Sequence, residues 1–419
     1  MSELRNTPIV CVALPSWEGE YTKSTVHLMT RLAEHNRVLY VDYPRTWTDV
    51  FRAIVRGLAL PWRAMFSSAS RVRMPLGPEK DLHLLILPPV LPVNSLPSGK
   101  VYRWGQELNA RIISRAVRKA MVQLDIKAPV VINAFQPGLG LALKGRLDER
   151  STVYYCYDEI SEATWCGKHG AADERSFIEQ ADVVITTSDA LWEAKERYAR
   201  QCFVVKNGVD FDLFSHVDTL RRDRIANQGA EVKPVIGFVG NVDARIDLDL
   251  LQEVARLRPE WTFEVVGPAK DPQARLRLTS IENLVWHGPK GPSDLPSIMQ
   301  RFDAGIIPFR KDGFTRFIYP IKVNEYLAAG LPVVMTDFAP IPELRSAVEI
   351  ADDAAEFVAV LDRVVRRQSE KDRETRRAFA SLNSWQARAS QFASVVARFA
   401  LPVRPARHFS IDAARRAAA

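Results

Sequence analysis

Apolar residues gather along the chain into short, near-continuous runs, separated by stretches in which they recur at helical spacing. In the first half, residues 9–14 form one run, and residues 22–35 bring Val26, Met29, Leu32 and Ala33 onto one helical face. Val38–Val41 is a second run, so the segment reads as strand, helix, strand. Further strands are predicted at 82–87, Val130–Ala134, 152–157 and 182–187, with helical patterns at 103–124 and 189–200. Continuous rather than alternating apolarity points to parallel strands buried on both faces. The pattern lapses into a polar, charged stretch at 216–232 and restarts at 234–240. It continues as runs at 261–266, 283–286, 304–308 and 332–335, with helices at 246–258 and 322–329. Two successive strand–helix series predict an α/β protein of two Rossmann-like domains. The expected organisation is an N-terminal domain at 1–215, a linker at 216–232 and a C-terminal domain at 233–383. A closing helix is expected at 384–401, with Trp385, Ala389, Phe392, Val395, Val396 and Phe399 on one stripe, followed by a mobile basic tail at 402–419.

Length agrees with this reading, since 419 residues suit two domains of about 200 each. The four cysteines (Cys11, Cys156, Cys166 and Cys202) show no CxxC pairing, and three lie in or beside apolar runs, which suits a reduced cytoplasm. The opening MSELRNTP has no basic stretch leading into an apolar core, and no run approaches the roughly 20 apolar residues that span a bilayer. A cytoplasmic protein is expected.

The net charge of +7 is modest, so its placement matters more than its size. Residues 44–73 carry six arginines against one acid, Asp49, interleaved with Trp47, Phe51, Ile54, Val55, Leu58, Leu60, Trp62 and Phe66. Two readings stand side by side: a helix pair packing its apolar stripe on its own domain, or a segment lying on an anionic membrane surface. Nucleic acid is disfavoured, because no recognised binding motif accompanies the basic stretch.

The most informative chemistry lies at Tyr319-Pro320-Ile321-Lys322-Val323-Asn324-Glu325. Pro320 stands where a helix can begin, and Gly330 and Pro332 end that helix before an apolar strand. An open helix start presents unpaired N–H groups and partial positive charge, which suits a diphosphate, and Lys322 adds a full charge. Glu325, one turn in, can accept both hydroxyls of a ribose. The alternative is an exposed i, i+3 pair. No GxGxxG follows a strand, no GxxxxGK[ST] loop occurs, and no GxSxG elbow is present, so nicotinamide, P-loop and triad chemistry are disfavoured. No histidine stands at metal-ligand spacing from another histidine or cysteine, so no metal site is expected.

The PxKxxEYLAxG-PVV string, Gly237-Phe238-Val239-Gly240 after a strand, Lys206-Asn207-Gly208-Val209-Asp210, and the DVVITTS of 182–188 resemble glycosyltransferases of the family 4, GT-B type. More narrowly, Trp17, Val38–Val41, Tyr157-Asp158-Glu159 and Asp247 resemble bacterial enzymes of teichuronic-acid and exopolysaccharide assembly. The resemblance implies two Rossmann-like domains facing a central cleft, with a C-terminal helix crossing back to the N-terminal domain. It also implies sugar transfer in that cleft from a UDP- or GDP-sugar to a glycan or lipid-linked acceptor, with no cofactor and no metal. Glu325 is then the ribose ligand, with Gly240, Asn241, Arg245, Tyr319, Pro320 and Lys322 around the donor. Asp247 is expected to cap its helix, and Arg245 is either the charge that meets the diphosphate or a solvated surface residue. Asp158 follows the strand at 152–157, at the end where α/β ligands bind, and is the candidate base for an inverting transfer, with Glu159 second. The alternative for Asp158 is a helix cap. Trp17 and Gly19 belong to the first strand–helix loop, expected on the acceptor side, where Gly19 permits close backbone approach. One departure matters. Retaining members carry a glutamate seven positions before the ribose ligand, and here that position is Ile318, so neither donor sugar nor stereochemistry carries over. A nucleotide-sugar epimerase and a non-catalytic nucleotide-sugar-binding subunit are the competing readings.

Overall fold

The structure is a computed structural model that describes residues 4–19, 23–67, 70–162, 168–221, 233–366 and 368–401. Cys166, the linker residues 222–232 and the tail 402–419 lie outside the described residues.

The first sheet is built from β1 (Ile9–Ala13), β2 (Val38–Val41), β3 (Val72–Arg73), β4 (Leu82–Leu85), β5 (Val130–Ala134), β6 (Ser151–Cys156), β7 (Val183–Thr186) and β8 (Cys202–Val204). They lie in the order β3-β4-β2-β1-β5-β6-β7-β8, all parallel except β3, which pairs antiparallel with β4. The chain therefore winds outward in both directions from β1, and the switch point falls between β1 and β5. Every residue of β1, β2, β5, β6 and β7 is buried, as the uninterrupted apolar runs require. One face is covered by the Lys100–Gln123 helix through Ala110, Ile113, Val117 and Ala120. The other is covered by the Ser24–Leu32 helix together with the closing helix.

The second sheet contains β9 (Val235–Val239), β10 (Thr262–Val266), β11 (Leu284–Trp286), β12 (Ala304–Ile307), β13 (Val333–Met335) and β14 (Glu349–Ile350) in the order β11-β10-β9-β12-β13-β14. This is the doubly wound order again, with its switch point between β9 and β12, where α/β sheets bind their ligands. Gly305 of β12 has to be glycine, because a Cβ there would meet the Tyr326 ring at 2.6 Å. That ring crosses the strand so that the Val239 N–H can donate to its hydroxyl at 2.7 Å. The Ile321–Ala328 helix is thereby pinned against the end of β9.

The closing helix, Trp385–Val395, continues as a wider π turn at Val396–Ala400. Ala389, Phe392 and Val396 enter the core of the first sheet, and Phe392 meets Tyr155 edge-on at 5.7 Å. The crossing-back helix expected from the resemblance is thus present. The domain crossover itself falls earlier than residue 215. Val209, Phe214 and Val217 pack in the core of the second sheet, so the chain changes domain near Lys206 to Val209. Asn207 marks the join by donating its amide to the Tyr319 carbonyl at 3.2 Å.

Candidate active site

The Ile321–Ala328 helix begins after β12 with Pro320 at its N-cap and no side chain capping it. An uncapped helix start is a general setting for anion binding. Lys322 Nζ reaches Glu325 Oε2 at 2.6 Å, and Glu325 is only 9% exposed. The pair is an i, i+3 bridge, but with Glu325 buried it is not the exposed surface pair of the alternative. Tyr319 is buried at the domain join: its carbonyl accepts from Asn207, its hydroxyl accepts from Asn324 at 3.4 Å, and burial raises its pKa. Its backbone ties the domains together, while its side chain is held within its own domain by Asn324.

Across the same rim lies the loop after β9. Gly240 donates to the Val266 carbonyl at 2.9 Å, and Gly267 approaches so closely that a Cβ there would sit 1.9 Å from the Gly240 carbonyl oxygen. Asn241 is half-buried on the loop that follows. Arg245 is gripped by Asp243, Nε to Oδ1 at 2.8 Å and Nη2 to Oδ2 at 2.6 Å, and its guanidinium lies 5.9 Å from the Phe309 ring. Asp247 accepts from the backbone N–H groups of Asp249 and Leu250, capping the Leu248–Leu257 helix as expected.

On the N-terminal side, Asp158 lies two residues beyond the end of β6. Burial pushes its carboxyl up to about 6; the Arg245 charge opposes the rise, while Glu159 and Asp243 add to it. Groups of both domains therefore act on one carboxyl. Glu159 has a different environment. Its Oε1 accepts from Lys195 Nζ at 2.8 Å and from the Ser161 N–H and hydroxyl, and the residue is 5% exposed. The described residues that follow form the 3-10 turn Ile160–Glu162.

Trp17 stands edge-on to Tyr40 with ring centroids 5.1 Å apart, and its backbone N–H donates to Asp42 Oδ1 at 2.8 Å. Gly19 is exposed with φ of +153, in the region that favours glycine, and a Cβ there would meet Lys23 Nζ at 2.5 Å. Lys23 in turn donates to the carbonyls of Ser16 and Glu18, so the loop wraps one ammonium. The sequence reading missed Lys23, Asp42 and Lys195. Asp42 was within reach, because it follows the apolar run at 38–41 just as Asp158 follows the one at 152–157. No metal-binding group of three His, Cys, Asp or Glu occurs among the described residues.

Residues 233–367 match the family described as "Glycosyl transferases group 1". That segment is similar to group 1 glycosyltransferase domains. It contains the whole second sheet, Arg245 and Glu325. A relative, TuaH of Bacillus subtilis (strain 168), named for a proposed role as a teichuronic acid biosynthesis glycosyltransferase, is 30% identical over 224 residues, covering 51% of this chain and 56% of TuaH. The chain thus spans little more than half the length of that relative. Two solved structures extend the likeness across both domains at the level of the fold. Sucrose-phosphate synthase from Thermosynechococcus elongatus superposes with a TM-score of 0.66 at 16% identity, covering 94% of this chain and 98% of that one. Anabaena HepE, solved with UDP and glucose, gives 0.61 at 14%, covering 94% and 99%. The architecture around residues 233–367 is therefore GT-B: two Rossmann-like domains with the two switch points turned toward one cleft.

Proposed function

We propose that the protein is a glycosyltransferase. It moves a hexose or hexuronic acid from a UDP- or GDP-sugar to a glycan or lipid-linked acceptor in cell-surface polysaccharide assembly, without a metal or other cofactor. The observation that carries the reading is the pairing of an open helix start bearing Lys322 and Glu325 on one domain with a raised-pKa carboxyl, Asp158, on the other. In this mechanism Glu325 accepts the ribose hydroxyls, and Lys322 turns from Glu325 toward the diphosphate, as the partial positive charge of the helix start favours. Asp158 takes the proton of the acceptor hydroxyl, whose oxygen attacks the anomeric carbon as the nucleoside diphosphate leaves. Arg245 and the helix start hold the charge that develops on the leaving group. Asp158 suits the base role better than Glu159, because Glu159 is committed to Lys195 and Ser161. HepE, crystallised with UDP, supports the nucleotide class. The name of TuaH supports the polysaccharide context.

The acceptor side carries a second feature. The Trp47–Val55 helix is capped by Thr46 and Asp49 and turns Val50 and Ala53 inward, yet Trp47, Phe51, Ile54 and Val55 face solvent, with Trp62 and Phe66 beside them. Arg45 is tied to Asp42, Arg73 to Glu18, Arg71 to the Met65 carbonyl and, more loosely at 3.8 Å, Arg52 to Asp49, while Arg52, Arg56 and Arg63 stay exposed. An exposed apolar face ringed by arginines fits peripheral docking on an anionic bilayer. No helix among the described residues is long and apolar enough to cross a membrane.

The decisive assay follows nucleoside diphosphate released from UDP- and GDP-sugars with and without a glycan acceptor. Release that requires acceptor is expected. Release without acceptor points to hydrolysis or epimerisation, and none at all, with binding retained, to a binding subunit. For the docking face, sedimentation with anionic vesicles should recover the protein at low salt and lose it as salt rises. Equal recovery with neutral vesicles, or none with either, would refute it.

A further inference from the structure

Behind Asp158 lies a buried ionic cluster that the proposed chemistry does not use. Lys195 Nζ sits between two carboxylates, 2.8 Å from Glu159 Oε1 and 2.7 Å from Glu174 Oε2, and all three side chains are less than a tenth exposed. Tyr154 of β6 donates its hydroxyl to Glu174 Oε1 at 2.8 Å, and the Cys156 thiol lies against the same oxygen. Ser161 donates to Glu159 from both its N–H and its hydroxyl. Burial opposes the Lys195 charge, but Glu174, Cys156 and Glu159 outweigh it and raise its pKa. Burial raises the Glu174 carboxyl, while Lys195 and Tyr154 pull it back.

Two carboxylates on one ammonium is a costly arrangement to bury, and replacing such a cluster with well-packed apolar residues is often neutral or stabilising. Stability alone gives little reason for it. Its position supplies one. Glu159 is the residue after Asp158, Tyr154 and Cys156 lie on the strand that delivers Asp158, and Lys195 ends the Asp189–Lys195 helix, whose first residues abut the join to the other domain through Ser188 and the Phe317 carbonyl at 2.7 Å. The cluster thus fastens the turn at the end of β6 to an element that touches both domains.

We propose that Lys195 is a positioning residue for the acceptor-side carboxylate: by holding Glu159 and Glu174 on one ammonium it fixes the turn that aims Asp158 into the cleft and keeps the Glu159 charge beside it. The proposal rests on the reading of Asp158 as the base. The charged groups acting on Asp158 are Arg245 and Asp243 from the facing loop and Glu159 from its own turn. Of these, Glu159 is the one set by the cluster.

Two variants test it. Glu159→Gln keeps an acceptor for Lys195 and Ser161 but removes the charge, so the Asp158 carboxyl, followed by 13C NMR of aspartate-labelled protein and assigned with Asp158→Asn, should titrate lower by on the order of half a unit. Lys195→Met, checked for folding by its thermal transition, should lower kcat by roughly tenfold or more with the KM for UDP-sugar unchanged, as displacement of a catalytic group does. An unmoved Asp158 midpoint in Glu159→Gln overturns the proposal, as does wild-type kcat in folded Lys195→Met. If Lys195→Met does not fold, the Glu159→Gln titration decides alone. Wild-type turnover in Asp158→Asn would instead remove the base assignment, so the two failures are separable.

Discussion

The two rims of the cleft are built on different length scales. On the C-terminal domain the polar pairs are local: Lys322 with Glu325 three residues on, Arg245 with Asp243 two residues back, Asp247 with the N–H three residues ahead. On the N-terminal domain the partners come from far apart in sequence, with Trp17 and Asp42 separated by 25 residues, Glu159 and Lys195 by 36, and Glu18 and Arg73 by 55. A rim made of local pairs is fixed as soon as its helix forms. A rim made of distant pairs exists only once the whole sheet is assembled. The first suits an invariant ligand part such as a nucleoside diphosphate, and the second can be altered one partner at a time to fit different acceptors.

The largest effect that would break this comparison is on the N-terminal rim. Asp158→Asn should lower turnover by roughly 10²- to 10⁴-fold, the range for a lost general base, while calorimetry finds nucleoside diphosphate affinity intact. Weakened donor binding in that variant would mean the rims are not separable. On the facing rim, Glu325→Ala should weaken nucleoside diphosphate binding by about 1–3 kcal/mol through loss of a charged acceptor. Affinity equal to wild type would strip Glu325 of its role.

A smaller effect is expected from Asp42→Asn. Asp42 is 2% exposed and takes bonds from the Ser16 hydroxyl and the Trp17 N–H while pairing with Arg45 at 3.4 Å. Asparagine keeps an acceptor for Trp17 and loses the charge, so the acceptor KM should rise by up to about tenfold, the loss of one charge-assisted bond, with donor KM unchanged. A change confined to donor KM would place the loop on the other side of the reaction.

What the sequence made legible follows the same divide. The helix start at Ile321, the Lys322 and Glu325 pair, the Asp247 cap and the parallel strands were readable, because each depends on spacing within a few residues. The two-residue strands Val72–Arg73 and Glu349–Ile350 were not, since neither carries a pattern of its own and each exists only through its neighbour. The stretch 44–73 read as either a helix pair packed on its own domain or a membrane-surface segment, and the pattern could not say which way its apolar side turns. Only the packing shows that Val50 and Ala53 face in while Phe51 and Val55 face out. Lys195 read as one more charge on a helix predicted at 189–200. Its burial comes from the Asp189–Lys195 helix ending early and folding its last residue over β6. The crossover was placed late for a related reason, because Val209, Phe214 and Val217 look like the tail of one domain until the other domain's core is seen to contain them.

The subtlest expectation joins the two rims through charge alone. In the proposed mechanism Asp158 acts in its ionised form, and burial has pushed its carboxyl up to about 6, so activity should fall as pH drops through that value rather than near the ordinary carboxylate range. The raised pKa also means that the folded protein binds this proton more tightly than the unfolded chain does. The carboxylate therefore costs stability above about 6, and that cost is relieved as pH falls below it. Arg245 opposes the rise from across the cleft, partly neutralised by its grip on Asp243. Removing its charge with Arg245→Gln should therefore move the Asp158 midpoint upward, by on the order of half a unit for one screened charge, and carry the acid limb of kcat/KM up with it. A titration of the Asp158 carboxyl reads this directly. A midpoint that stays still, or moves down, would mean that the two rims do not share an electrostatic field, and Arg245 would then act only on the donor.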